Sequence, residues 1–261
     1  MNHYLYLILG FIFLIPTVVV AIMRRDLRRG IVYVGSLGAI WGPISEFWFF
    51  RDYWHPASVL GNPVLEDVVY GAGISATAWC LYKVVFRRTN SAPGDRQTRY
   101  GEFGGIVALY VAAMLVLEAG LGINSILVAT GVYIVSAIYI IVRRRDLLTA
   151  SLATATMMGL IALIGYGIGL NLLVREPATL SHLWFLYHKP LGVTIVGYVP
   201  LTEVVWYTAW GSLLGILYEF ATGRQIVARQ GTTGTGPGLS QIRQPGKRAS
   251  DDSERRGATA R

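Results

Sequence analysis

The sequence predicts an all-α membrane protein: seven transmembrane helices arranged as two parallel three-helix repeats joined by a linking helix. Three observations carry that expectation. They are long apolar blocks almost free of charge, a one-sided distribution of basic residues, and an internal repeat. Of the 261 residues, 53% are hydrophobic and only 15% charged, where soluble domains carry about 25% charged residues. The apolar blocks run to about 20 residues, the length that crosses a hydrocarbon core roughly 30 Å thick.

The expected spans are 4–23, 31–50, 64–86, 104–123, 125–142, 147–174 and 197–220. The first has no basic residue before it and is followed at once by Arg24-Arg25-Asp26-Leu27-Arg28-Arg29, the reverse of a cleavable signal peptide, so it is expected to stay as an anchor. With the amino terminus outside, 23 Lys and Arg residues leave only Arg51, Arg175 and Lys189 in outer segments. That bias predicts a multi-pass protein of the cell membrane with its carboxyl-terminal tail in the cytoplasm. It also accounts for the net charge of +8 without nucleic acid as a partner. The tail, 222–261, is rich in Gly, Ser, Thr, Gln and Arg. It is expected to be disordered, with a weak hold on anionic headgroups.

The repeat shows at two levels. Arg24-Arg25-Asp26-Leu27 closes the first span and Arg144-Arg145-Asp146-Leu147 closes the fifth. Pro63-Val64-Leu65-Glu66-Asp67-Val68-Val69-Tyr70 opens the third, and Pro200-Leu201-Thr202-Glu203-Val204-Val205-Trp206-Tyr207 opens the seventh. The expected organisation is therefore a first repeat with its cytoplasmic loop at 1–103, a linking helix at 104–124, a second repeat at 125–221, and the tail. One intervening helix makes the two halves run in the same direction, related by an axis along the membrane normal.

Carboxylates inside a membrane are costly and default to functional roles. Glu46, Glu66, Glu118 and Glu203 come from four different spans, all in the expected outer half, as a shared pocket would require. Trp48, Tyr53, Trp54, Tyr70, Trp206 and Tyr207 stand at the same level as candidate substrate-binding groups. Plainer roles compete with these. Pro-x-x-Glu suits the first turn of any helix, interfacial aromatics form belts, and Glu46 or Glu118 can snorkel to the headgroups. His55, His182 and His188 flank the region, but no metal-binding spacing joins them. The single cysteine, Cys80, excludes a disulfide framework and cysteine-ligated metal. There is no P-loop or dinucleotide fingerprint, and the last span has no lysine for a retinal Schiff base. No metal or cofactor is expected.

These stretches resemble a known family. Phe50-Arg51-Asp52-Tyr53-Trp54-His55-Pro56, running through Val59-Leu60-Gly61 to Pro63-Val64-Leu65-Glu66-Asp67, looks like the lycopene cyclase domain of the integral-membrane type. Gly192 to Glu203, followed by Leu217-Tyr218-Glu219, is similar to that family's second repeat. The likeness in layout covers about residues 1–222, and in motif two stretches of about 30 residues each. The family pattern carries two adjacent acids after each outer loop. Here Leu65 and Thr202 stand in the place of the first, and Glu46 occupies the place of a Trp-Asp.

The resemblance implies a non-redox isomerase that closes β-rings on the ends of an acyclic carotene, with Glu46, Glu66, Glu118 and Glu203 as catalytic acids and bases. Its partners would be a lipophilic carotenoid or other isoprenoid, membrane lipids, and a second copy or pathway enzymes. Three alternatives stay open: a membrane terpene cyclase acting on another prenyl substrate, a small-solute transporter with a three-one-three repeat, and a non-catalytic pigment-binding subunit.

Overall fold

The computed structural model describes residues 4–56, 58–59, 64–91, 97–173 and 192–229. His182, His188, Arg175, Lys189 and the tail beyond Arg229 lie outside them. The described chain is mostly helical. Seven long helices appear in it: α1 (Leu5–Met23), α2 (Arg28–Asp52), α3 (Val64–Val85), α4 (Tyr100–Ala113), α5 (Ser125–Arg143), α6 (Leu148–Leu173) and α7 (Leu201–Thr222). Helix α4 runs on into π-helical turns over Met114–Gly120.

Among the described residues five segments are long and apolar enough to cross a membrane: Tyr6–Met23, Val64–Val85, Tyr100–Gly120, Ser125–Arg143 and Arg145–Asn171. Helices α2 and α7 fall short. The first carries Arg28, Arg29, Glu46, Arg51 and Asp52, and the second Glu203 and Glu219 among glycines and threonines. The exposed apolar side chains sit elsewhere, for example Ile12, Ile15 and Val19 on α1, Leu115 and Val116 after α4, and Val135 and Ile138 on α5. Helix α7 is instead buried along most of its length, so packing against protein replaces the apolar surface that lipid would demand.

Helix α2 packs along α3 and α6 along α7, while α1 lies on α3 and α5 on α7. Helices α3 and α7 meet in the middle, where Ala78, Trp79, Ile216 and Phe220 are sealed from solvent. Small residues let α2 and α3 approach closely. A Cβ on Gly38 would stand 2.1 Å from the carbonyl oxygen of Gly71, and one on Gly42 2.3 Å from that of Asp67. Such seams gain dispersion contact where a hydrophobic drive between helices is weak.

At one end of the bundle the two Arg-Arg-Asp-Leu turns are built alike. Arg24 N–H bonds the carbonyl of Val20 at 2.7 Å and Arg144 N–H that of Ile140 at 2.8 Å, while Leu27 and Leu147 are fully buried. Arg24 pairs with Asp26 and donates to the carbonyl of Arg88. Arg144 pairs with Asp146 and donates to the carbonyl of Arg224. The first carbonyl belongs to, and the second lies two residues before, an antiparallel ribbon of β1 (Arg88–Asn90) and β4 (Ile226–Ala228). The disorder expected from Thr222 does not hold for the first residues of the tail, because Gly223 takes a left-handed φ of 69° and turns the chain into β4. At the opposite end β2 (Thr194–Ile195) pairs with β3 (Val199–Pro200).

Candidate active site

Between α1, α2, α3, α5, α6 and α7, at the end away from the arginine turns, lies a chamber with about 50 Å³ of free space. Its walls are mainly aromatic: Tyr6, Trp41, Phe49, Tyr53, Trp54, Tyr70, Tyr133, Tyr166, Trp206 and Trp210. Two carboxyl side chains line it, Glu46 from α2 and Glu203 from α7.

The local sequence sets both acids. Pro43 cannot donate to the α2 ladder, and Ser45 bonds the carbonyl of Gly42 at 2.8 Å, so Glu46 follows an interrupted turn. Glu203 sits in the first turn of α7, whose start is held by the β2–β3 ribbon and by a bond from Leu201 N–H to the carbonyl of Val193 at 2.9 Å. The turn that ends α2 ties both acids down. Tyr53 donates its hydroxyl to Glu203 Oε1 at 2.7 Å. The next residue, Trp54, donates Nε1–H to Glu46 Oε1 and Oε2 at 3.0 and 3.1 Å. Two consecutive side chains therefore hold carboxyl groups from two helices.

A third acid stands behind this wall. Asp67, 1% exposed, accepts from Tyr6 at 2.5 Å, and Tyr6 packs edge-on against Trp54 with ring centroids 4.7 Å apart. Asp67 was not among the residues expected at the site. Its signal in the sequence was the acid pair Glu66-Asp67.

The other two expected acids go elsewhere. Glu66 is fully buried, but its Oε1 accepts from the backbone N–H of Val59 at 2.7 Å, which fastens the α2–α3 connection. Glu118 lies on the π-helical turns and faces Arg51 at 3.7 Å, outside the chamber wall. Of the expected aromatics, Tyr53, Trp54, Tyr70 and Trp206 line the chamber. Tyr207 stands behind them, its hydroxyl 2.5 Å from that of Tyr70 and 3.3 Å from that of Tyr166. Trp48 packs against Tyr110 with centroids 6.0 Å apart. His55 is exposed and stacks on Phe50.

Trp206 and Trp210 stack with centroids 5.6 Å apart and planes 7° from parallel. Neither indole N–H finds an acceptor among the described residues. No three of the described His, Cys, Asp and Glu residues converge as a metal-ligand group. The chamber thus offers two anchored carboxyl groups, several ring faces, tyrosine hydroxyls and two open indole N–H groups.

A fully buried ion pair lies between α3 and α7 toward the arginine turns. Lys83 Nζ stands 3.2 Å from Glu219 Oε1 and donates to the carbonyl of Trp79 at 2.9 Å. Trp79 Nε1–H donates to the same Glu219 oxygen at 3.0 Å. Compared with protein-family models, curated proteins and solved structures, the chain matches none.

Proposed function

We propose that this protein is a membrane-embedded isoprenoid cyclase, foremost a lycopene β-cyclase, that closes rings by proton transfer without redox change. The observation that carries the reading is the pair of consecutive residues Tyr53 and Trp54 holding Glu203 and Glu46 in one aromatic chamber. The reading includes seven spans in two like-directed halves, with the arginine turns at the cytoplasmic face. The matching packing of α1–α3 and α5–α7 and the two similar arginine turns support it.

An acid first protonates a terminal alkene, the neighbouring double bond closes on the tertiary cation, and a base takes a proton from the ring. Alkenes are weak bases, so the donor must be a neutral acid. Enclosure away from water and company with other carboxyl groups are the general means of keeping one neutral. Glu46, away from either end of its helix, takes the part of the acid. Glu203, in a first turn where the helix dipole favours a carboxylate, takes that of the base. Asp67 supports Glu46 through Tyr6 and Trp54. Ring faces such as Trp206 and Tyr133 stabilise the cation by about 0.5–2 kcal/mol each without trapping it. The same net proton count enters and leaves, so substrate and product are isomers.

The test is expression in lycopene-accumulating cells with pigment analysis. Cyclised carotene from the parent chain and none from Glu46→Gln or Glu203→Gln is the expected result. Well-inserted protein that makes no cyclised product sinks this substrate. A second reading, cyclisation of an oxygen-bearing prenyl compound, is favoured by the open N–H groups of Trp206 and Trp210, which suit an epoxide or carbonyl acceptor. Incubation with an epoxidised prenyl quinone separates the two.

A further inference from the structure

Against the inner end of the chamber lies a second space of about 290 Å³, bounded mainly by α2, α4, α5 and α7. Gly38, Trp41, Tyr133 and Trp210 line both. Along α2 this groove runs from Tyr33 to Ile44, and along α7 from Trp210 to Ala221, roughly 16 Å at 1.5 Å per residue. Its walls are almost wholly apolar, with Leu37, Ile40, Val107, Leu213 and Leu217 prominent.

From this geometry we infer that the groove binds the unreacted hydrocarbon tail of a linear isoprenoid while the reacting end lies in the chamber. The inference rests on the cyclase reading and adds to it the seat of the remainder of the substrate. Three features fix that occupant. A polar solute would lose its water here without finding partners, whereas a hydrocarbon passes from lipid to a lining equally apolar without that penalty. The aromatic run Trp41–Tyr110–Tyr133–Trp210, with successive centroids 4.8, 5.7 and 5.0 Å apart, supplies wall to both spaces, so the groove lies directly beside the chamber, where the two ends of one extended molecule would have to sit. The long axis is parallel to the helices, which holds an extended chain with one end at Glu46 and Glu203 and the other toward Phe103 and Tyr218. Such a groove takes one end of a chain at a time. A substrate with two reactive ends must withdraw and return reversed for a second ring.

The test uses the full chain in lipid nanodiscs and a linear C20 isoprenoid hydrocarbon with a diazirine at the end remote from the reacting alkene. After photolysis the labelled residues are mapped by mass spectrometry. Labelling should fall on α4 and α7 at Ile106, Val107 or Leu217 and be displaced by unlabelled lycopene. It should drop about tenfold or more in Val107→Trp, whose indole fills the groove, and persist in Val107→Ala. Ile106→Trp serves as a second filling variant if Val107→Trp is not monodisperse.

Labelling elsewhere or nowhere overturns the inference. So does equal groove labelling by a diazirine phospholipid that lycopene fails to displace, which would make this a lipid site. The labelling is repeated in Glu46→Gln. A labelled groove with no cyclised product from the parent chain overturns the cyclase reading and leaves the hydrocarbon site standing. Cyclised product with an unlabelled groove does the reverse.

Discussion

The hydroxyl groups of Tyr70 and Tyr207 meet at 2.5 Å although the residues are 137 positions apart. Each stands four residues after the glutamate of its Pro-x-x-Glu segment. Residues at matching positions of two copies touch only where the axis relating the copies passes between them, so under the proposed two-half arrangement this bond marks the axis. Tyr70→Phe and Tyr207→Phe should each cost about 0.5–1.5 kcal/mol, the net worth of one hydrogen bond. The double variant should cost less than their sum, because either change breaks the same bond. Thermal unfolding of the four proteins in detergent measures this, and strict additivity would contradict a shared bond.

The four glutamates nominated by sequence separate into two classes. Glu46→Gln and Glu203→Gln, both lining the chamber, should lower the proposed cyclisation by about 10²–10⁴-fold, the usual worth of a positioned acid or base, with folding retained. Glu118→Gln, paired with Arg51 at 3.7 Å, should keep activity near the parent level. Glu66→Gln should loosen the connection that Val59 N–H ties down, seen as a lower unfolding temperature before any change in product. Product analysis at matched membrane expression reads all four, and loss of activity confined to Glu118→Gln would move the site.

How much of this was legible depended on whether a residue's neighbours were close in sequence. Glu203 could be found because Pro-x-x-Glu recurs, and the arginine turns because four residues repeat intact. Glu66 and Asp67 could not be told apart. Successive helical residues point about 100° apart, so only one of the two can face a given wall. The packing of α3 turned Glu66 to the backbone of Val59 and Asp67 to Tyr6. Glu118 reads as one more acid at the right depth, but π-helical turns change which face it occupies and bring it to Arg51. Lys83 and Glu219 stand 136 positions apart in the sequence, and only the contact of α3 with α7 makes them a pair. The strand at Ile226–Ala228 depends on a partner far back in the chain, at Arg88–Asn90, which local pattern does not reveal.

Asp26 gives the bundle end a defined acid limit. The Arg24 guanidinium, bonded to it at 2.8 Å, holds its carboxyl down at about 2, below the usual carboxylate value of about 4. A depressed folded-state value means the contact stabilises fully above about pH 4 and is lost as pH falls through about 2. The difference in unfolding temperature between the parent chain and Asp26→Asn should thus be flat from pH 7 to about 4 and vanish near pH 2. A difference already gone by pH 4 would show that the pair does not persist in solution.

Lys83 and Glu219 are both wholly buried, and the chemistry proposed for the chamber does not use them. Bringing two charges out of water costs about as much as their attraction returns, so such a pair adds little net stability while intact. Removing one partner is different, because it strands the other. Lys83→Met should therefore destabilise by about 3–5 kcal/mol, and Glu219→Leu similarly, since Lys83 would keep only the carbonyl of Trp79 and the face of the Trp79 ring. The double change Lys83→Met with Glu219→Leu should recover most of that loss, because neither charge is then left alone. Unfolding measurements on the three variants, with product analysis on the double, separate structure from function. Recovered stability with parent-like activity makes the pair a clamp between α3 and α7, whereas recovered stability with lost activity would give these two charges a place in the reaction.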